Sequence, residues 1–191
     1  MRILLSLAAC LACAMSLAQS TYAPARGETD IMLTVEGKGD IVIQLHTAEA
    51  PKTTARIAQL VKNGFYTNQR FFKVITEPRP FLVQIGDPQS VNGNLDDPSM
   101  GSMGSGVQLP YEATKFTNEE GAVGLSTVVD NKNSGDSQFY ILLGRHRFLD
   151  GRYTVFGKVV QGMDIVHRIE KGDRVTAAKV LTGPGVGKIG Q

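Results

Sequence analysis

The chain has 191 residues, room for one domain with a sizeable core but cramped for two. Hydrophobic residues make up 42% and charged residues 20%, which argues against a disordered chain. A formal net charge of +2, with no Lys/Arg block, excludes the basic face that a nucleic-acid partner needs.

Arg2 is followed by an apolar stretch over 3–17 and by small residues just before Gln19. This is the pattern of a secretory signal peptide, 1–18, cleaved after Ala18. The run is too short to span a bilayer comfortably, so no stable membrane span is expected. Leu7-Ala8-Ala9-Cys10 also fits a lipoprotein cleavage box, a second reading in which Cys10 is lipidated. Either way the expected location is periplasmic or secreted. Cys10 and Cys13 both fall in this segment, so the mature chain is expected to carry no disulfide.

Residues 19–30 read as a linker, 31–182 as one folded domain and 183–191 as a Gly-rich flexible tail. Segments 31–36 and 40–46 alternate in period two, with Gly37-Lys38-Gly39 as the turn of a hairpin between them. Ile41, Ile43 and Leu45 share one face of the second segment; Val42, Gln44 and His46 share the other.

Over 50–63 the period changes to helical: Thr54, Ile57, Ala58 and Val61 fall on one stripe. Pro51 suits the helix start and Gly64 its exit. Strand-length apolar runs follow at 71–75, 81–85, 122–126, 138–143 and 155–160, each bounded by turn residues. A second helix is expected over 163–170 and a last strand over 174–181. Residues 89–110 form a long polar loop, of the kind that is often functional or mobile. About eight short strands and two helices favour a closed barrel.

Several chemistries are absent from the sequence. His46, His146 and His167 show no ligand spacing, and with no mature cysteine a zinc site is not expected. There is no phosphate-binding loop and no nucleophile elbow. Asp96-Asp97 and Glu119-Glu120 read as solvated loop pairs, not as acid–base catalysts.

Four ordered blocks change the reading. They are Ala50-Pro51-Lys52-Thr53 with Asn63-Gly64-Phe65-Tyr66; Phe71-Phe72-Lys73-Val74-Ile75 with Phe81-Leu82-Val83-Gln84-Ile85-Gly86-Asp87-Pro88; Gly135-Asp136-Ser137-Gln138-Phe139-Tyr140-Ile141; and Phe148-Leu149-Asp150-Gly151 running on to Gly162-Met163-Asp164. From Gly39 to Glu170 the chain resembles the cyclophilins. The resemblance implies a mainly β fold, a closed eight-stranded antiparallel barrel capped by two α-helices, with a packed interior and a substrate groove on its outside. It implies a peptidyl-prolyl cis-trans isomerase working without cofactor or metal. The partners would be proline-containing polypeptides, such as unfolded or nascent exported proteins, and the enzyme would be a monomer.

The resemblance also carries residue assignments. Lys73 and Gln84 take the catalytic positions. Phe81, Leu82, Tyr140 and Leu149 take the apolar proline pocket, and Gln138 a groove position that hydrogen-bonds the peptide. Val128 and Val129 lie on the segment whose backbone pairs with the substrate. Phe148 stands where many eukaryotic members have Trp, and Tyr153 where His is frequent. Read without the resemblance, the apolar set suits a core, whereas Gln84 and Gln138 interrupt apolar strands and suit a groove better than an interior.

Two departures from the family pattern bear on chemistry. Lys73 stands where the family usually has Arg, which keeps the charge but loses the planar fork. The stretch Thr76-Glu77-Pro78-Arg79-Pro80 is longer than the usual connection. Arg79 could reach the groove and replace the missing guanidinium; as a loop charge it would more ordinarily be solvated. The expected outcome is an isomerase of reduced turnover. The alternatives are a catalytically weak module that binds proline-containing segments as a chaperone or scaffold, and an unrelated secreted barrel with a small ligand inside.

Overall fold

The computed structural model describes residues 22–184. The proposed signal peptide and the Cys10 lipidation site lie outside these residues, as does most of the proposed tail. Eight strands form one antiparallel sheet: β1 (Thr29–Val35), β2 (Gly39–Leu45), β3 (Lys73–Ile75), β4 (Leu82–Ile85), β5 (Ala122–Leu125), β6 (Phe139–Leu142), β7 (Val155–Gln161) and β8 (Val175–Thr182). Their order is β3-β4-β6-β5-β7-β2-β1-β8. β1 starts two residues before the expected domain boundary, and Asp30, assigned to the linker, is a fully buried strand residue.

The expected closed barrel is corrected at its seam. The edge strands β3 and β8 do not pair with each other. Closure runs instead through the residues just ahead of them, where Phe71 donates to the Asp173 carbonyl and Gly172 to that of Phe71, both at 2.9 Å. Asn68 N–H and the Val175 carbonyl add a bond of 2.7 Å. Phe71 and Phe72 were expected in β3, but Phe71 is taken up by this seam and the β3 ladder begins at Lys73. The sheet is therefore a barrel in class, with a short irregular join in place of a ladder.

Helix α1 (Pro51–Lys62) has no capping side chain of its own at Ala50. Its N-terminus is capped from a distance: the Glu112 carboxylate accepts from Lys52 N at 3.0 Å and Thr53 N at 2.8 Å. A carboxylate there satisfies orphan N–H groups and meets the positive end of the helix dipole. The helix buries Ile57, Leu60 and Val61 and packs against β8 and β7. Helix α2 is one turn, Met163–Val166, not the 163–170 expected. Arg168 and Ile169 N–H groups bond three residues back, to Ile165 and Val166, so the turn tightens and ends.

The strand period sorts side chains into two apolar clusters. Ile31, Leu33, Ile41, Ile43, Val83, Ile85, Val123, Phe139, Ile141 and Phe156 fill the interior with the buried stripe of α1. Leu82, Ala122, Tyr140, Leu142, Leu149 and Val155 form a second cluster, with Phe81 and Tyr153 packed against it. Along β4, Leu82 and Gln84 alternate with Val83 and Ile85; along β6, Tyr140 and Leu142 alternate with Phe139 and Ile141. One set faces the core and the other the outside of the barrel. The filled interior excludes a barrel that holds a ligand inside.

Candidate active site

Register places the second set in rows. Lys73 lies opposite Gln84, Gln84 opposite Tyr140, and Tyr140 opposite Gly124. Directly opposed residues share a face, so these four form one row across β3, β4, β6 and β5 on the outer surface. Ile75, Leu82 and Leu142 form the next row. Gly124 ends the first row because the Tyr140 ring lies over it: a Cβ there would sit 2.2 Å from Tyr140 Cζ.

A pocket of about 340 Å³ opens over these rows. It gathers Lys73, Phe81, Leu82, Gln84, Val129, Tyr140, Leu149 and Tyr153. The other three predicted residues lie next to it. Gln138 and Val128 line an adjoining groove of about 360 Å³, which shares Gln84, Gly101, Ser126 and Thr127 with the pocket. Phe148 lies in a third hollow that shares Phe81. Arg79 lines that same third hollow and not the pocket of Lys73, so it does not stand in for the missing guanidinium.

One side of the pocket is apolar. Leu82, Tyr140 and Leu149 are buried beneath it. Tyr140 and Tyr153 meet edge to face with ring centroids 5.7 Å apart. The Tyr140 hydroxyl donates to Asn118 Oδ1 at 2.8 Å, and Asn118 is fully buried. Desolvation by burial pushes the Tyr140 phenol far above its ordinary range, so it remains a neutral donor. Asn118 donates in turn to Asp150 Oδ1, from its backbone N at 2.7 Å and its Nδ2 at 2.9 Å. Burial raises the Asp150 carboxyl, but the Asn118 donors with Arg147 and Arg145 outweigh it and hold it below its usual value. Tyr140→Phe leaves Asn118 Oδ1 without its donor and is expected to cost about 1–2 kcal/mol of stability in urea unfolding. The ring remains, so KM for a proline peptide is expected to stay within about twofold.

The polar edge differs from the expectation in one respect. Gln138 was expected to hydrogen-bond the peptide, but its carboxamide is already occupied. Its Nε2 donates to the carbonyls of Gly101 at 2.8 Å and Met103 at 2.7 Å, and its Oε1 accepts from Gln84 Nε2 at 2.9 Å. Gln138 therefore orients Gln84 and ties down the loop beside it. Lys73 is exposed, and its side chain makes no hydrogen bond or ion pair among the described residues.

Two carboxylates hold the same loop. Buried Asp87 accepts from the N–H groups of Gln89 at 2.8 Å, Gly101 at 2.7 Å and Met103 at 3.2 Å. Asp136 accepts from the Ser105 hydroxyl and from Gly106 N at 2.8 Å. Gly101 has φ of 93°, in the left-handed region, and a Cβ there would stand 3.1 Å from the Phe72 ring. The segment expected to be functional or mobile is thus fastened at both ends, and Met100 and Gly101 complete the pocket wall. Asp87 is a functional residue that the sequence alone does not single out. Its local signal is an Asp followed by Pro at the start of a short 3-10 turn, Pro88–Val91.

Among the described residues no group of three or more His, Cys, Asp or Glu could hold a metal. No helix among them is long and apolar enough to cross a membrane. A site of this kind offers an apolar cleft, one cation and one oriented carboxamide. It lacks a nucleophile–base pair, so it suits conformational chemistry more than bond cleavage.

A model of the cyclophilin type peptidyl-prolyl cis-trans isomerase/CLD family matches residues 31–187. A probable peptidyl-prolyl cis-trans isomerase of Brucella suis is 37% identical over 158 residues, covering 81% of this chain and 78% of that protein. The peptidyl-prolyl cis-trans isomerase cypE of Dictyostelium discoideum is 35% identical over 131 residues, covering 69% of this chain and 78% of that protein. A cyclophilin-type isomerase of Cryptosporidium parvum has a similar crystal structure. Its TM-score is 0.68 at 20% identity, over 82% of this chain and 99% of that one, and the likeness concerns the fold alone.

Proposed function

The chain belongs to the cyclophilin-type peptidyl-prolyl cis-trans isomerase family and is such an isomerase, and we propose that it turns X–Pro bonds in the outer-face pocket of Lys73, Gln84 and Tyr140. The observation that carries this assignment of the site is the convergence, in one pocket, of an apolar clamp, a cation and a held carboxamide.

The chemistry sets the requirements. Amide resonance makes a rotation barrier of about 20 kcal/mol, and uncatalysed X–Pro exchange takes tens to hundreds of seconds. No σ bond breaks. In the twisted state the prolyl nitrogen becomes pyramidal and accepts a hydrogen bond, which the planar ground state does not. A donor placed at that nitrogen therefore stabilises the transition state selectively.

In this chain the ring would rest on Phe81, Leu82, Tyr140 and Leu149, out of water. Lys73 Nζ is the donor within reach of the same pocket. Gln84 anchors the flanking chain, and the exposed Val128–Val129 segment offers backbone for pairing at the groove rim. Lysine is a point donor on a flexible stem, so the reading includes lower turnover than an arginine would give.

A solved cyclophilin-type relative was crystallised in the presence of the dipeptide Ala-Pro. That supports Ala-Pro peptides as probes here. The test is NMR exchange or a protease-coupled assay on such a peptide, with catalysed exchange expected. Binding without exchange would instead select the scaffold reading, which Lys73 alone favours. The N-terminal sequence supports work on exported polypeptides in the periplasm or medium. We take the enzyme to act as a monomer.

A further inference from the structure

We infer that the hollow beside the pocket, at the inserted β3–β4 connection, binds a carboxylate side chain of the polypeptide being isomerised and so gives the enzyme a preference for acidic substrates. This rests on the isomerase reading of the neighbouring pocket and names its substrate class more narrowly.

The hollow has a volume of about 640 Å³. Three cations line it, Arg79, Arg145 and Arg147, against one carboxylate, Glu77. Glu119 reaches two of the arginines from outside the lining, at 3.3 Å from Arg145 Nε and 3.5 Å from Arg147 Nε. Each guanidinium offers five donors, and these contacts use one apiece. Asp150, which also feels Arg147 and Arg145, is engaged by Asn118 and does not line the hollow.

The floor is aromatic and continuous with the active site. Phe81 lines both hollow and pocket. Phe148, 61% exposed, lies 5.9 Å from Phe81 between ring centroids. An exposed phenylalanine beside guanidinium donors that no group among the described residues engages suits a peptide whose acidic side chain is accompanied by methylene surface.

The insertion builds one wall and is held in place. Phe81 N donates to the Ile75 carbonyl and Leu143 N to the Phe81 carbonyl, both at 2.9 Å, which brackets residues 76–80. His146 Nε2 lies 2.9 Å from the Pro80 carbonyl. Arg79 is thus presented by a braced loop, opposite the Arg145 and Arg147 segment. A polypeptide with its proline ring in the pocket passes this hollow on the side of Phe81, away from the groove of Gln138.

The test compares Ala-Pro peptides carrying Asp, Asn or Lys two or three residues to either side of the proline. At low ionic strength kcat/KM for an Asp peptide is expected to exceed that of its Asn counterpart about three- to tenfold, shrinking toward parity in 1 M salt. The double variant Arg79→Glu with Arg145→Glu is expected to abolish the ratio and to favour Lys peptides. Lys62→Glu with Lys179→Glu, both exposed and outside the hollow, changes net charge by the same amount and is expected to leave the ratio unchanged, which removes net charge as the cause. Equal rates for Asp and Asn peptides, or a preference that survives the double variant, would overturn the inference. Absence of turnover for every peptide would count against the isomerase reading itself, and equilibrium binding of the same Asp and Asn peptides then decides the inference alone.

Discussion

Lys73→Ala is expected to lower kcat for an Ala-Pro peptide by about 10²-fold while KM changes little, because the residue acts on the twisted state and not on the bound ring. Lys73→Arg is expected to do the opposite, raising kcat by about two- to tenfold, the worth of one added hydrogen bond. The reasons lie in the row of residues that holds it. Lys73 stands at the sheet edge on β3, opposite Gln84, with its side chain exposed and without an anchoring partner among the described residues. Four rotatable bonds must be ordered each time the ammonium meets the prolyl nitrogen. A guanidinium in its place could bridge the nitrogen and a carbonyl oxygen with fewer wasted orientations. Exchange spectroscopy on one peptide with the three proteins reads both effects. An arginine variant no faster than the parent would show that the lysine limits nothing.

Asp87→Ala is expected to lose about 3 kcal/mol of stability in urea unfolding, and on the order of 10 °C in melting temperature. Its buried carboxylate collects three backbone N–H groups from two separate segments, Gln89 on one and Gly101 and Met103 on the other. Alanine leaves those three donors without their protein acceptor. Activity is expected to fall as well, since Met100 and Gly101 form part of the pocket wall. Asp87→Asn keeps one acceptor oxygen but turns an NH2 toward N–H donors, so an intermediate loss is expected. A stability change within about 0.5 kcal/mol for the alanine variant would mean the loop is held by Gln138 and Asp136 alone.

Much of the site was legible through the family resemblance: 82–85 and 139–142 read locally as apolar runs suited to a core, and only the polar Gln84 and Gln138 marked an outer face. Pro51 and the 54, 57, 58, 61 stripe define α1 with nearly its true bounds. What could not be read depends on partners far apart in sequence. The barrel seam is a meeting of residues 68–71 with 172–175, which the runs read as strands overlap only at Phe71 and at Arg174 and Val175. Glu112 caps α1 from a loop, where nothing marks it as a helix cap. Gln138 was legible as a polar residue in an apolar strand, but whether its amide served a peptide or a loop depended on where residues 101–103 came to rest. Arg79 posed a similar problem, because the path of a lengthened five-residue connection is not encoded in its composition. The end of α2 turned on a switch in backbone bonding rather than on any breaker residue.

The two-sided strands have an evolutionary corollary. Residues that shape the cleft and residues that hold up the domain occupy alternate positions of the same strands, so each set can drift with little consequence for the other. Specificity is then open to retuning at an exposed position such as 73, where the scaffold hardly registers the change. The meeting of Tyr140 with Gly124 is an exception. There an aromatic ring of the cleft rests on bare main chain, and any side chain grown at 124 would disturb recognition and architecture together.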